Sequence, residues 1–227
     1  MADPDAATPP PPLSKGARTR DAILRTAAAI ASVEGLERLT LGRLASELQM
    51  SKSGLYAHFR SKVALQLATI EAAREAFMVE VAIPAMSAPE GLRRLRALCE
   101  GYFSHLEREV FPGGCFFATV QAELNACEGP VRDRVSELGE MWLERLEAQV
   151  RAAQELGELS RSIDAAQLAF ELGAIMFTAS STRLLFPGLD ILGRARTALR
   201  DRLEREARPS RRSHGGRLGK QQRSRAQ

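Results

Sequence analysis

The chain has 227 residues, 44% of them apolar, and a formal net charge of +4, the composition of a globular protein with a real core. No apolar run approaches the ~20 residues of a membrane-spanning helix, and the acidic, proline-rich start (Met1 to Pro12) has neither the basic nor the apolar region of a secretory signal. Cys99, Cys115 and Cys127 are too few and too irregular for a disulfide framework or a Cys/His metal site, so the chain reads as soluble and cytoplasmic, with neither metal nor cofactor.

Strand signals are nearly absent, while Ala, Leu, Arg and Glu, all strong helix formers, dominate. The expected fold is all-α, with about nine helices. Residues 1–13 carry a charge of −2 and no apolar pattern, and are expected to be disordered. Residues 14–62 carry +5. Within them a first helix runs from about Arg18 to Glu34, burying Ile23, Ala27, Ile30 and Ala31, and stops at Gly35. Thr40 has the chemistry of an N-cap for a second helix, whose Leu41, Leu44, Ala45 and Leu48 recur at i, i+3, i+4 and i+7. After Gln49 and Met50, Ser51 caps a short third helix with Leu55 and Phe59 on its inner side. Two short helices joined by a tight turn cannot bury a core alone and must pack on the first, which is the helix-turn-helix arrangement.

That packing leaves Lys52, Ser53, Gly54, Tyr56, Ala57 and His58 pointing outward, a small polar and basic surface of the size that enters a major groove. A solvated helical hairpin would explain the apolar spacing, but it gives no reason for an exposed Tyr56 among Lys52, His58 and Lys62. Ser61 caps a long fourth helix, residues 62–83, that ends before Pro84. The remaining body, residues 84–206, holds helices over about 89–108 and 115–127, one starting near Pro130 with Val131, Val135, Leu138, Trp142, Leu146 and Val150 at 3.5-residue spacing, and others over 165–186 and 190–206. Residues 63–206 carry −6 and the last segment, 207–227, carries +7. A basic block beside an acidic body fits partial approach to a polyanion, although a solvated charged surface gives the same sums. The tail is expected to be disordered, either a mobile polycation that touches phosphates or a solvated appendage.

The stretch from Thr40 through Leu44-Ala45-Ser46-Glu47-Leu48, Ser51-Lys52-Ser53-Gly54-Leu55-Tyr56-Ala57-His58-Phe59 and Ser61-Lys62 resembles the tetracycline-repressor-like family of bacterial regulators. The resemblance implies that Thr40, Arg43, Ser51, Lys52, Ser53, Gly54, Tyr56, His58 and Lys62 form the surface for double-stranded DNA. Thr40, Tyr56, His58 and Lys62 suit phosphates, and Lys52 and Ser53 suit base edges. The family usually has Gly at the turn, where Gln49 stands; a left-handed Gln49 would carry a strain of roughly 1 kcal/mol.

The resemblance further implies a body that binds a small-molecule effector and pairs as a homodimer, most simply as a repressor released from a palindromic operator. Phe103, Phe116, Phe117, Glu123, Trp142 and Phe177 are the expected effector contacts, for a mainly apolar ligand. The apolar stripes of the eighth and ninth helices (Leu168, Leu172, Ile175, Leu199 and Leu203) are the expected dimer seam, or else ordinary packing within one chain. Cys115 after Gly113-Gly114 stands at a helix start, where a thiol can become reactive, though a buried small apolar role is the commoner one. His105 reads as a partly buried surface histidine. The body contains no GxSxG, GxxxxGK[ST] or HExxH pattern, so no catalytic residue is expected. The other class of function consistent with the sequence is a helical adaptor or enzyme retaining a degenerate helix-turn-helix.

Overall fold

The computed structural model describes residues 14–207, where every regular element is helical apart from a single β-bridge between Leu159 and Ala207. The expectations for residues 1–13 and for the tail over 208–227 lie outside the described residues. Nine helices follow: α1 (Lys15–Glu34), α2 (Leu41–Leu48), α3 (Lys52–His58), α4 (Lys62–Phe77), α5 (Leu92–Glu107), α6 (Phe116–Leu124), α7 (Pro130–Glu155), α8 (Ala165–Arg183) and α9 (Ile191–Glu206). α4 does not stop at Phe77. It runs on through a π-helical stretch, Met78–Ala82, and a last turn, Ile83–Ala85. Pro84, expected to lie just past the helix, sits inside that turn, directly after a stretch whose hydrogen-bond ladder is already displaced.

Short-range chemistry sets the boundaries. The hydroxyls of Thr40, Ser51 and Ser61 accept from the backbone N–H of Arg43, Gly54 and Ala64, at 3.0, 3.1 and 3.1 Å. Gln49 ends α2 in the left-handed conformation, φ 52°, so the strain expected at that turn is present. α5 begins only at Leu92 because Gly91 adopts φ 89°, a value that ends any regular helix reading from Pro89.

Two cores result. The first joins Ile23, Ala27, Leu36, Leu44, Leu55, Phe59 and Leu65 to Phe116, Val120 and Leu124 of α6 and Val135 of α7. The second lies among α5, α7, α8 and α9 and includes Leu95, Phe103, Leu146, Leu168, Leu172, Leu199 and Leu203. This placement corrects the expected dimer seam: Leu168, Leu172, Leu199 and Leu203 are buried inside the subunit, and Ile175 is half-buried against the same core. Helical periodicity marks an apolar face without saying which element covers it. What α8 turns outward is a different set, Phe170, Ala174 and Phe177, continued by the exposed Leu184, Leu185, Phe186 and Leu189 after it.

Candidate nucleic-acid interface and effector cavity

α3 is held by its buried side. Leu55 and Phe59 enter the first core, and the Arg20 guanidinium of α1 lies 4.4 Å from the Phe59 ring centre. Arg20 Nη1 also donates to the His58 carbonyl at 2.7 Å, closing the C-terminal end of α3. Ser51, Lys52, Ser53, Tyr56 and Ala57 face solvent, with Gly54 and His58 half-buried. Tyr56 is 56% exposed, and its ring makes no aromatic contact among the described residues. A Cβ placed on Gly42 would lie 3.7 Å from Lys52 Cε and 3.8 Å from Thr40 Oγ1, so Thr40 and Lys52 converge where α2 begins. Among the described residues Lys52 makes no ion pair.

The other two cations are engaged. Lys62 Nζ bonds Glu37 Oε2 at 2.9 Å, which holds the Glu37 carboxyl below its usual range. Arg43 bridges Glu34 and Glu47, each at 2.7 Å, and the bond from Arg43 likewise lowers the Glu34 pKa. Such exposed pairs are worth at most about 1 kcal/mol, so a phosphate can displace Glu37 from Lys62. Arg43 has two carboxylates to leave and is the least available of the sequence-selected cations. The exposed Arg60, at the α3–α4 junction, was not selected from the sequence and makes no ion pair among the described residues.

A cavity of about 530 Å³ lies among α4 to α8. Phe77 stands at its centre of aromatic packing, edge-on to Tyr102, Phe117 and Trp142 at 6.2, 6.1 and 5.1 Å. Of the six residues expected to contact an effector, Phe117, Trp142 and Phe177 line this space. The other three do not. Phe103 is buried in the body core beneath the Arg196 guanidinium, 5.3 Å away. Phe116, one helical position from Phe117, points the opposite way into the first core, near Phe111. The Glu123 carboxylate accepts the backbone N–H of Leu36 at 2.7 Å and of Glu37 at 2.8 Å. Phe77 and Tyr102, which sequence reading did not select as effector contacts, take their place.

Glu123 is part of a joint. Gly113 N donates to Ser32 Oγ at 3.1 Å and Thr119 Oγ1 donates to the Ser32 carbonyl at 3.1 Å. Gln66 Nε2 of α4 donates to the Leu36 carbonyl at 2.7 Å. α4 and α6 therefore touch the cavity through Arg74, Phe77, Phe117 and Gln121, and the helix-turn-helix domain through Gln66, Thr119 and Glu123.

Cys115 is buried, and desolvation raises its pKa, which keeps the thiol protonated despite its place at the start of α6. His105 is 1% exposed instead of lying at the surface, and neither ring nitrogen has a hydrogen-bond partner among the described residues. Phe77 and Phe111 pack edge-on to it at 5.7 and 5.6 Å. Burial is the main reason that its pKa falls from 6.5 to about 4; Arg108 and Arg183 add to the fall and Glu80 opposes it. Between those values the unfolded chain takes up a proton that the folded one refuses, so stability is lost as pH drops through that window. We expect about 2 kcal/mol less stability at pH 5 than at pH 7.5, and no such difference from this source in His105→Leu. Urea midpoints at the two pH values test this, above the range where the lowered carboxylates titrate. Equal losses in both proteins would refute it.

Residues 23–69 match the model of the bacterial regulatory proteins of the tetR family, and residues 91–199 match the tetracyclin repressor-like C-terminal domain. The nucleoid occlusion factor SlmA of Vibrio vulnificus is 31% identical over 139 residues, covering 61% of this chain and 67% of that protein. A TetR transcriptional regulator from Chloroflexus aurantiacus superposes with a TM-score of 0.76 at 26% identity, covering 86% of this chain and 98% of the other. SCO4454, a TetR-family regulator from Streptomyces coelicolor, gives 0.70 at 22% identity, with 83% and 89% covered.

Proposed function

The chain belongs to the TetR family of bacterial regulatory proteins, which act by binding DNA and not by catalysis, and on that premise we propose that it is a ligand-responsive repressor, released from a palindromic operator when a mainly apolar small molecule fills the cavity. The observation that carries this reading is the double attachment of α4 and α6. Each lines the cavity on one side and is bonded to the helix-turn-helix domain on the other. A ligand that binds one arrangement of these helices better than another shifts the population of DNA-competent molecules by its difference in affinity. Phe77, Tyr102, Phe117, Trp142 and Phe177 are the proposed effector contacts. The working form is a cytoplasmic homodimer, paired over Phe170 and Ala174, exposed residues of α8 that also line the cavity, and over the segment with Leu184 and Leu185.

On DNA, Thr40, Tyr56, His58 and Lys62 contact phosphates, while Lys52 and Ser53 read base edges. Gel shifts against salt concentration on the operator beside the protein's own gene test this division. Lys62→Ala is expected to weaken binding to all sequences alike and to lower the salt slope by about 0.9 for each phosphate left without its cation. Lys52→Ala is expected to relax preference at one base pair, by about 1–3 kcal/mol. A Lys62→Ala protein with an unchanged slope and an altered preferred sequence would reverse the two roles.

The likeness to SlmA favours a second reading, a part in nucleoid occlusion. Genome-wide footprinting separates the two: a few operators beside regulated genes support the repressor, and sites spread over the chromosome support the other.

A further inference from the structure

The cavity is apolar in its walls but not in its charge. Two arginines, Arg74 of α4 and Arg145 of α7, are among its lining residues, and no aspartate or glutamate is. Arg74 is partly neutralised, its Nε bonded to Glu71 at 2.9 Å. Arg145 is not. The other arginines of α7 each have a carboxylate: Arg132 pairs with Asp133, Arg134 with Glu71 and Glu137, and Arg151 with Glu147. Arg145 makes neither an ion pair nor a hydrogen bond among the described residues, although it is half-buried beside Met141 and Trp142. A guanidinium at the cavity with no carboxylate of its own is free to take an anion there through a bidentate hydrogen bond.

We propose that the effector is an amphipathic organic carboxylate, its head group held by Arg145 with added attraction from Arg74 and its apolar body packed among Phe77, Phe117, Trp142 and Phe177. This rests on the cavity being the effector site, and it narrows the chemistry of that effector. An uncharged ligand of the same shape would leave Arg145 unpaired, and a cation would face two positive groups with no carboxylate to answer it. The cavity volume lies within the range of sites that enclose a small organic molecule, so head and body fit together.

The single tryptophan of the chain, Trp142, is a cavity wall, which makes intrinsic fluorescence a direct reporter of occupancy that needs no DNA. Decanoate, 1-decanol and decylamine differ in head charge and little in body. Titrated separately into the full chain at neutral pH, decanoate is expected to bind at least tenfold more tightly than decanol, with decylamine weakest. In Arg145→Gln the preference for decanoate over decanol should fall about tenfold while decanol affinity is unchanged, and Arg145→Lys should retain most of the preference. Decanol binding as tightly as decanoate to the unaltered protein, or a decanoate preference that survives in Arg145→Gln, would overturn the anionic head and leave the effector cavity standing. If none of the three perturbs Trp142, the anionic ligand and the effector reading both fail. Should Arg145→Gln not fold, the three probes on the unaltered protein still decide between a charged and an uncharged head.

Discussion

Gly113→Ala is expected to break the joint between the body and the helix-turn-helix domain. A Cβ at position 113 would overlap the Ser32 carbonyl group and stand 2.8 Å from Val33 N, all backbone atoms of α1 that no rotamer can move aside. Overpacking of this kind costs about 1–3 kcal/mol. Separation here would also disturb the bonds that Gly113 N and Thr119 Oγ1 make to Ser32. We expect a total loss near 3 kcal/mol, which for a chain of this size lowers the melting temperature by roughly 6–12 °C. Effector-induced release from DNA should weaken as well. Gly188, where an added Cβ meets nothing within 4 Å, is the control, and Gly188→Ala should melt with the unaltered protein. Equal melting of the two variants would mean that α1 and the 109–114 segment are not in contact in solution.

Leu172→Glu should prevent the body from folding. The side chain is wholly buried, packed among the apolar residues of the second core. Loss of leucine burial and the burial of an unpaired charge together amount to several kcal/mol, a large part of the stability of an ordinary domain. On the same helix Phe170 is 61% exposed, and Phe170→Glu should fold, keep its helical circular dichroism and sediment as a monomer. The contrast is the test. A folded, monomeric Leu172→Glu would return that residue to the subunit interface.

The local parts of this molecule were legible because their causes are local. Side-chain caps, the left-handed Gln49 and the apolar side of α2 and α3 each depend on a few neighbouring residues, and the structure has them where the sequence put them. What could not be read were relations across the chain. Phe116 and Phe117 are adjacent and equally apolar, yet one enters the first core and the other the cavity, because α6 is sandwiched between them. Glu123 is chemically plausible as a ligand contact; only the arrival of the Leu36–Glu37 backbone shows what its carboxylate receives. The stripes of α8 and α9 have the spacing of a dimer seam and the same spacing as an internal core. His105 has no sequence neighbour that betrays its burial, since Phe77 and Phe111 come from separate segments.

The π-helical stretch at Met78–Ala82 gives α4 the anatomy of a lever. The arm is the regular helix Lys62–Phe77, 16 residues or about 24 Å at 1.5 Å per residue. Its far end carries Lys62, and its near end meets the one part of the helix with a displaced hydrogen-bond ladder, a natural fulcrum. Met78, inside that stretch, is itself a cavity wall. Rotation of the arm by about 5° about this point carries Lys62 through about 2 Å, the scale of a hydrogen bond. In a two-fold dimer the displacement is applied twice, and in opposite senses along the duplex. On the proposed two-half-site operator, a modest change at the fulcrum would thus be magnified at the DNA.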